Sequence, residues 1–354
     1  MNSIITEGLA RITAETPKIV SKEMEVFYNP VMSFNRDISI LLLNSISKNN
    51  LQIADPLAAS GIRSIRFLKE LKKGKIKRIF VNDGSRDAVK SIKENLKLNK
   101  INNKNKKIEI KNEDANLFLL NSSGFDYIDI DPFGTPNPFL DSACKRLARE
   151  GILAVTATDT SALCGSSPNA CIRKYWAVPK RDAIMHETGL RILIRKIQLV
   201  AAQYDKALTP ILSYSKEHYM RVFLKNEKGK NKVNEILKSH GRFDEAGPMW
   251  LGRLWDKSLA STIYGSALKN KVFNKDNELI NFLKIIKEES KINTVGFYDI
   301  HDICKKNKIK NLPKKDVFIE KIKRRGYDAS DTIFKGHGIR SSIRFPELIK
   351  ILKN

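Results

Sequence analysis

The stretch LQIADPLAASGIR, Leu51 to Arg63, decides the fold. LQIAD (Leu51 to Asp55) is a short apolar run ending in an acid, which reads as a buried strand. Small residues and a glycine follow, Pro56 to Gly61, and a helix is expected from Ser60. Strand, tight turn and helix make a first βα unit, and the alternation continues along the chain. RIFVND (Arg78 to Asp83) is the next strand, followed by SRDAVKSIKENLKLN with Ala88, Ile92 and Leu96 on one helical face. KIEIKNED (Lys107 to Asp114) and FDYIDID (Phe125 to Asp131) are the third and fourth strands. GILAVTATD (Gly151 to Asp159) is the fifth, after a helix around Leu140 to Arg149. LTPILSYSK (Leu208 to Lys216) and HYMRVFLKN (His218 to Asn226) lie nearly end to end, and strands that close pair antiparallel. The expected fold is α/β: a doubly wound, Rossmann-like, mostly parallel sheet with a reversed edge from a C-terminal β-hairpin.

The 354 residues predict about two domains. The polar run KNEKGKNK (Lys225 to Lys232) is the candidate linker, giving residues 1–224 and 225–354. Lys and Arg outnumber Asp and Glu by 64 to 39, a net charge of +25. Residues 225–354 hold 29 basic and 16 acidic side chains, net +13, so the shorter part is the denser in positive charge. An anionic partner is implied. With 42% hydrophobic residues the chain can build ordinary cores, which excludes disorder and collagen-like fibres. The N-terminus mixes charges into its apolar residues and reads as no signal peptide. The apolar run Ile38 to Leu43 is too short to cross a bilayer, so a cytoplasmic protein is expected. Cys144, Cys164, Cys171 and Cys304 make no CxxC pair and the five histidines no HxH or HxxxH pair, so neither disulfides nor zinc is expected.

Ligands of such sheets sit beyond the carboxyl ends of the strands. Gly61 lets the backbone approach a ligand closely at a helix start. No G-x-G-x-x-G is present, so a dinucleotide is disfavoured. Asp83 follows Gly61 at about the offset where an acid grips ribose hydroxyls. Asp114, before Ala115, is placed to accept a hydrogen bond from an adenine amino group. Each acid alone reads equally as a helix cap; three at successive strand ends fit a nucleoside without phosphates, such as S-adenosylmethionine.

The fourth strand ends in Asp129-Ile130-Asp131-Pro132-Phe133-Gly134-Thr135-Pro136. An acid, a proline and an aromatic at a strand end resemble the D-P-P-Y type motif of amino-methyltransferases. The exocyclic amine of a base is a poor nucleophile because its lone pair is delocalised. A carboxylate and the Pro132 carbonyl, each accepting an N–H, would localise that lone pair, and Phe133 would stack on the base. The other reading is a Pro-Gly turn with Asp131 as a cap.

FYNPVM (Phe27 to Met32), NRD (Asn35 to Asp37), DPLAASGIRSIR, VNDGS, NEDAN and DIDPFGTP occur in this order. Together they resemble the tRNA (guanine-26 N2)-dimethyltransferases, archaeal branch. CIRKYW (Cys171 to Trp176), HETGLRILI (His186 to Ile194) and GPMWLG (Gly247 to Gly252) also resemble that family's signatures. The resemblance implies a methyltransferase sheet, S-adenosylmethionine as cofactor and tRNA as substrate, with no membrane and no obligate protein partner. It implies that Arg36 meets the methionine carboxylate and that Gly61, with Arg63 and Arg66, forms the cofactor loop. Asp83 would hold the ribose, and Asp114 and Ala115 the adenine. Asp131, Pro132 and Phe133 would surround the guanine amine, with Phe27 as a second aromatic wall. The spacing of Arg63 and Arg66 does not decide which of them contacts the cofactor. Members often carry a zinc cysteine cluster before GPxWxG; Lys225 to Ala246 holds no cysteine, which again argues against zinc. The late segment GHGIRSSIRF (Gly336 to Phe345) also departs from the family's usual pattern.

In the basic C-terminal part, Asp299 to Lys308 reads as a short helix and Asn311 to Pro313 as a turn. Lys314 to Arg325 is a helix with Val317, Phe318, Ile319 and Ile322 as its apolar side, stopped at Gly326. With the β-like tail this resembles a winged helix, an α+β tRNA-binding domain; a solvated helical face is the plainer reading. Two rival functions stay open: another RNA or DNA exocyclic-amine methyltransferase, and a non-catalytic basic RNA-binding protein. A dehydrogenase is weakened by the missing glycines.

Overall fold

In the computed structural model, which describes residues 2–15, 28–102, 107–310 and 312–353, seven strands form one central sheet. The chain opens with an antiparallel hairpin, β1 (Asn2–Glu7) and β2 (Ala10–Glu15), and a helix α1 (Ser33–Ser45). The sheet strands are β3 (Leu51–Asp55), β4 (Ile76–Asn82), β5 (Ile108–Lys111), β6 (Phe125–Ile130), β7 (Leu147–Ala157), β8 (Lys206–Lys216) and β9 (Tyr219–Lys228), in spatial order β5-β4-β3-β6-β7-β9-β8. The five strands β3 to β7 pair in parallel. Between them run α2 (Ile62–Glu70), α3 (Arg86–Leu98), α4 (Ala115–Leu120) and α5 (Asn137–Arg146). After β7 come α6 (Thr160–Leu163), α7 (Pro168–Tyr175) and the long α8 (Met185–Ala202).

The strand order reverses between β3 and β6, so the loops after these two strands flank the crevice where such sheets bind ligands. The hairpin differs from expectation in one respect. Its second strand, β9, pairs with β7 and is the reversed one; β8 takes the edge and runs with the parallel set. The reversed strand is thus interior, and its side chains reach the middle of the molecule.

The expected linker is not a loop. β9 continues to Lys228, where it pairs with Lys206, and α9 (Lys230–Lys238) starts two residues later. A polar run can form the solvated end of a strand as readily as a linker. The hydrophobic core also ignores position 225. After α9 come β10 (His240–Phe243), β11 (Ala246–Trp250), α10 (Lys257–Lys269) and α11 (Asn277–Glu289). Met249, Trp250, Trp255, Ile263, Leu279, Leu283 and Phe297 belong to the same core as the sheet. The run Ile38 to Leu43 is a buried stripe of α1, which packs on α10.

A second, separate core begins near residue 300. It is built from β12 (Tyr298–Asp299), α12 (Ile300–Lys306), α13 (Lys315–Arg324), β13 (Ala329–Asp331), β14 (Gly338–Ser341) and α14 (Phe345–Lys353). The three short strands form an antiparallel sheet in order β12-β14-β13. Phe318, Ile319 and Ile322 face this core as expected. Val317 does not: it is 62% exposed, because one residue's step turns a helical side chain by about 100°. Gly326 ends α13 at a φ of +85°, where a glycine carries no Cβ penalty. No helix among the described residues is long and apolar enough to cross a membrane.

Candidate active site

The loops after β3, β4 and β5 are tied together by one buried amide. Asn82 Nδ2 donates to the Pro56 carbonyl (3.1 Å) and the Glu113 carbonyl (3.0 Å), and Asn82 Oδ1 accepts from Glu113 N (3.0 Å). Asp83 adds a second tie: its Oδ2 accepts from Ala59 N (2.8 Å) and its Oδ1 from Ser85 N (2.9 Å). Gly61 then starts α2 with φ +75°, and a Cβ there would lie 3.1 Å from Ile92. Both facts select glycine. Asp114 caps α4, accepting from Asn116 N and Leu117 N through Oδ1, and Ala115 is buried beneath it. Gly61, Asp83, Asp114 and Ala115 therefore share the carboxyl edge of the sheet. The two acids cap local backbone and still have lone pairs to offer, the donor set that hydroxyl and amino groups of a nucleoside require.

The two arginines that the sequence leaves undivided part company. Arg66 joins Arg36 on the buried carboxylate of Glu7, at the end of β1. Arg66 also pairs with Asp37 (2.6 Å) and Glu70 (2.8 Å), and Tyr28 donates to Glu7 Oε2 (3.0 Å). Burial alone would push Glu7 up, but the two guanidiniums outweigh it and hold the carboxyl down to about 2. Arg63 turns the other way. It reaches under the end of β6, where Nη2 donates to Asp131 and Nη1 lies 3.2 Å from Asp129. Arg63 thus anchors the turn instead of lining the loop at Gly61.

Asp131, Pro132 and Phe133 stand in a braced turn. Gly134 N donates to Thr158 Oγ1 (2.7 Å) and Thr158 N to the Gly134 carbonyl (2.9 Å), pinning the turn to the end of β7. Tyr175 OH donates to Thr135 Oγ1 (3.0 Å). Phe133 is 41% exposed. Arg63 occupies Oδ2 of Asp131, and no hydrogen bond reaches Oδ1 or the Pro132 carbonyl among the described residues. Phe27 lies outside the described residues.

Below the turn is a buried polar layer that motif reading missed. Arg221, on the reversed strand β9, grips both oxygens of Asp129 (2.8 and 2.7 Å) and donates to Thr156 Oγ1 and Ser39 Oγ. Asn35 donates to Thr156 and accepts from Arg63. Two arginines thus face two aspartates with the charges matched. Burial opposes the charge on Asp129, yet Arg221 and Arg63 keep its carboxyl below the usual range. Asp55, at the end of β3, lacks a comparable partner; burial pushes it up to about 7, with Arg63 and a Ser64 hydrogen bond (2.6 Å) pulling back. The signal for Arg221 was present: one arginine inside the apolar strand HYMRVFL.

A third polar cluster joins the parts of the chain. Arg340 on β14 pairs with Glu187 of α8 (2.6 Å) and Glu289 of α11 (2.8 Å), and Arg191 also pairs with Glu187 (2.8 Å). Glu187 and Arg191 come from HETGLRILI and Arg340 from GHGIRSSIRF. Farther off, a cleft of about 290 Å³ opens in the C-terminal unit beside the stacked rings of His301 and His337.

Comparison with known proteins agrees with this geometry. The chain matches the family described as N2,N2-dimethylguanosine tRNA methyltransferase over residues 8–243 and 234–353. It is 39% identical to a tRNA (guanine(26)-N(2)/guanine(27)-N(2))-dimethyltransferase of Aquifex aeolicus, covering 98% of this chain and 95% of the relative. It is 37% identical to the tRNA (guanine(26)-N(2))-dimethyltransferase of Methanobrevibacter smithii, covering 99% and 96%. The structure of Trm1 from Pyrococcus horikoshii in complex with S-adenosyl-L-methionine superposes with a TM-score of 0.89 at 35% identity, covering 99% of each chain. With a parallel sheet carrying acids at successive strand ends, a D-P-F-G turn and matches along nearly its whole length, the chain belongs to the N2,N2-dimethylguanosine tRNA methyltransferase family.

Proposed function

We propose that the turn Asp131 to Gly134 receives the N2 amine of guanine 26 in tRNA, which takes one methyl group and then a second. The chain is an S-adenosylmethionine-dependent tRNA guanine N2-methyltransferase. The cofactor supplies an electrophilic methyl on a sulfonium. In our reading Asp83 holds its ribose, Asp114 and Ala115 its adenine, and Arg36 its carboxylate. The observation that carries the site is the half-engaged carboxylate of Asp131: Arg63 fixes one oxygen, and the other is left to accept an N–H.

This pairing shapes the chemistry. The neutral amine of a base is a very weak acid, so Asp131 orients it before transfer rather than removing its proton first. Once methylated, the nitrogen is cationic and acidic, and Oδ1 can then take its proton. The Pro132 carbonyl accepts the second N–H, and Phe133 stacks on the base. Charge matching by Arg221 keeps Asp129 ionised without drawing Arg63 away from Asp131. Two helices, α12 and α13, followed by the antiparallel strands β13 and β14 support a winged-helix-like reading of the C-terminal unit. Its excess of lysine would hold tRNA phosphates. A cytoplasmic location is consistent with a tRNA substrate.

Incubation with unmodified tRNA and methyl-labelled S-adenosylmethionine, followed by nucleoside mapping, tests the proposal. Label in N2-methyl- and N2,N2-dimethylguanosine at position 26 is expected; label elsewhere would move the site.

A further inference from the structure

Trp176 is a tryptophan that neither packing nor backbone preference asks for. It caps α7 in the left-handed conformation, φ +57° and ψ +40°, which glycine or asparagine adopts more readily. Its neighbours Tyr175 and Ala177 are buried, while Trp176 remains 52% exposed. The backbone is held on both sides. Trp176 N donates to the Ile172 carbonyl (3.1 Å), Arg195 Nη1 donates to the Trp176 carbonyl (3.2 Å), and Val178 bridges to Gly247. The Lys196 ammonium lies over the indole ring. A costly conformation, fixed from several directions, displays a large aromatic face to solvent.

Its surroundings favour RNA. Ile172 and Val178 are exposed beside it, and Arg173, Lys174, Lys180, Arg181, Arg195 and Lys196 surround the segment. The carboxylates here are Asp159, paired with Lys174, Asp244 and Glu245, paired with Lys180, and Asp182, which accepts from Ile184 N (2.9 Å). Arg173 and Arg181 have no carboxylate partner among the described residues. Cations in excess around an exposed aromatic make a stacking platform for nucleobases. The platform is bonded to the active turn: Asn137 donates to the Lys174 carbonyl (2.8 Å), and Tyr175 to Thr135, two residues past Phe133.

We propose that Trp176 stacks on a tRNA base flanking the target guanine. A guanine inside a helix must leave its stack before its N2 can reach a reacting group, and its neighbour is then left with a bare face. Trp176 covers that face and keeps the target extruded. This rests on tRNA being the substrate and adds a residue that positions it.

The chain suits a direct test, because its other two tryptophans, Trp250 and Trp255, are only 6% and 4% exposed. Acrylamide quenching of tryptophan fluorescence therefore reports mainly on Trp176. Saturating unmodified tRNA, with binding verified by gel shift, should protect the quenchable fraction. Trp176→Ala and Trp176→Gly should raise KM for tRNA about 5- to 100-fold, with cofactor affinity and saturated turnover little changed. Glycine suits the left-handed backbone, so a loss there is not a folding defect, and Trp176→Phe should recover most of the affinity. Undiminished quenching with tRNA bound, or an unchanged KM in the alanine and glycine variants, would overturn the proposal. Wild-type protein that binds tRNA without methylating it would count against the reaction and leave the quenching result to decide the platform.

Discussion

Arg63 donates to Oδ2 of Asp131 from beneath the sheet edge while the same guanidinium reaches Asp129, Asn35 and Ser39. One buried cation thus sets the angle of the Asp131 carboxylate. Arg63→Lys keeps the charge but not the planar fork, so it should lower turnover with little change in cofactor affinity. Arg63→Ala leaves the buried Asp129 with Arg221 alone and the partly exposed Asp131 without its cation, and should destabilise the fold by about 3–5 kcal/mol. Steady-state kinetics for the first and denaturant unfolding for the second check this.

Asp131→Ala should lower turnover on saturating tRNA and cofactor by about 10²- to 10⁴-fold. Asp83→Ala should act in the opposite sense, weakening cofactor binding in calorimetry before it changes turnover. If Asp131→Ala turns over at a near-native rate, the D-P-F-G segment is a turn and nothing more.

Asp55 gives stability a pH slope of definite sign. Its carboxyl is raised to about 7, and that of Asp37 to about 6, in both cases chiefly by burial. Between about pH 4 and 7 these two carboxyls hold protons that the unfolded chain releases, so their contribution to stability falls as pH rises through this window, against an opposite contribution from His240, which burial lowers to about 4. Glu7 and Glu187, each lowered to about 2 by arginines that outweigh burial, act only at acid pH, where their stabilisation is lost as pH falls. Asp55→Asn mimics the protonated form and should remove much of the decline. Thermal melts of both proteins at pH 5 and pH 8 measure it.

Arg340→Ala should cost about 3–5 kcal/mol, since it leaves Glu187 and Glu289 buried without their shared cation. Denaturant unfolding should show the loss, although position 340 is remote in sequence from the sheet.

The parallel strands, the loop at Gly61 and the acids Asp83, Asp114 and Asp131 could be read directly, because strand periodicity and strand-end residues are local signals. Three things could not. The interior position of β9 depends on which strand the hairpin docks against, and nothing local encodes that. The parting of Arg63 and Arg66 depends on where Glu7 and Asp131 lie, 59 and 68 residues away in sequence. The run at 225 is a strand end and a helix start; polar composition marks solvent contact, which these share with a linker. Arg221 was visible as an odd charge in an apolar strand, but its partner Asp129 was hidden behind the more conspicuous Asp131.

The pairing of Glu187 with Arg340 spans 153 residues of chain. During synthesis, at about 5–20 residues per second, α8 leaves the ribosome about 8 to 30 s before its cation exists. Through that interval only Arg191 can neutralise the carboxylate, and for its first part the buried face of α1 still awaits α10. The nascent methyltransferase half is therefore an unfinished body that requires protection from aggregation until its last residues emerge, and a prematurely terminated chain should be found with chaperones or proteases rather than as a shortened enzyme.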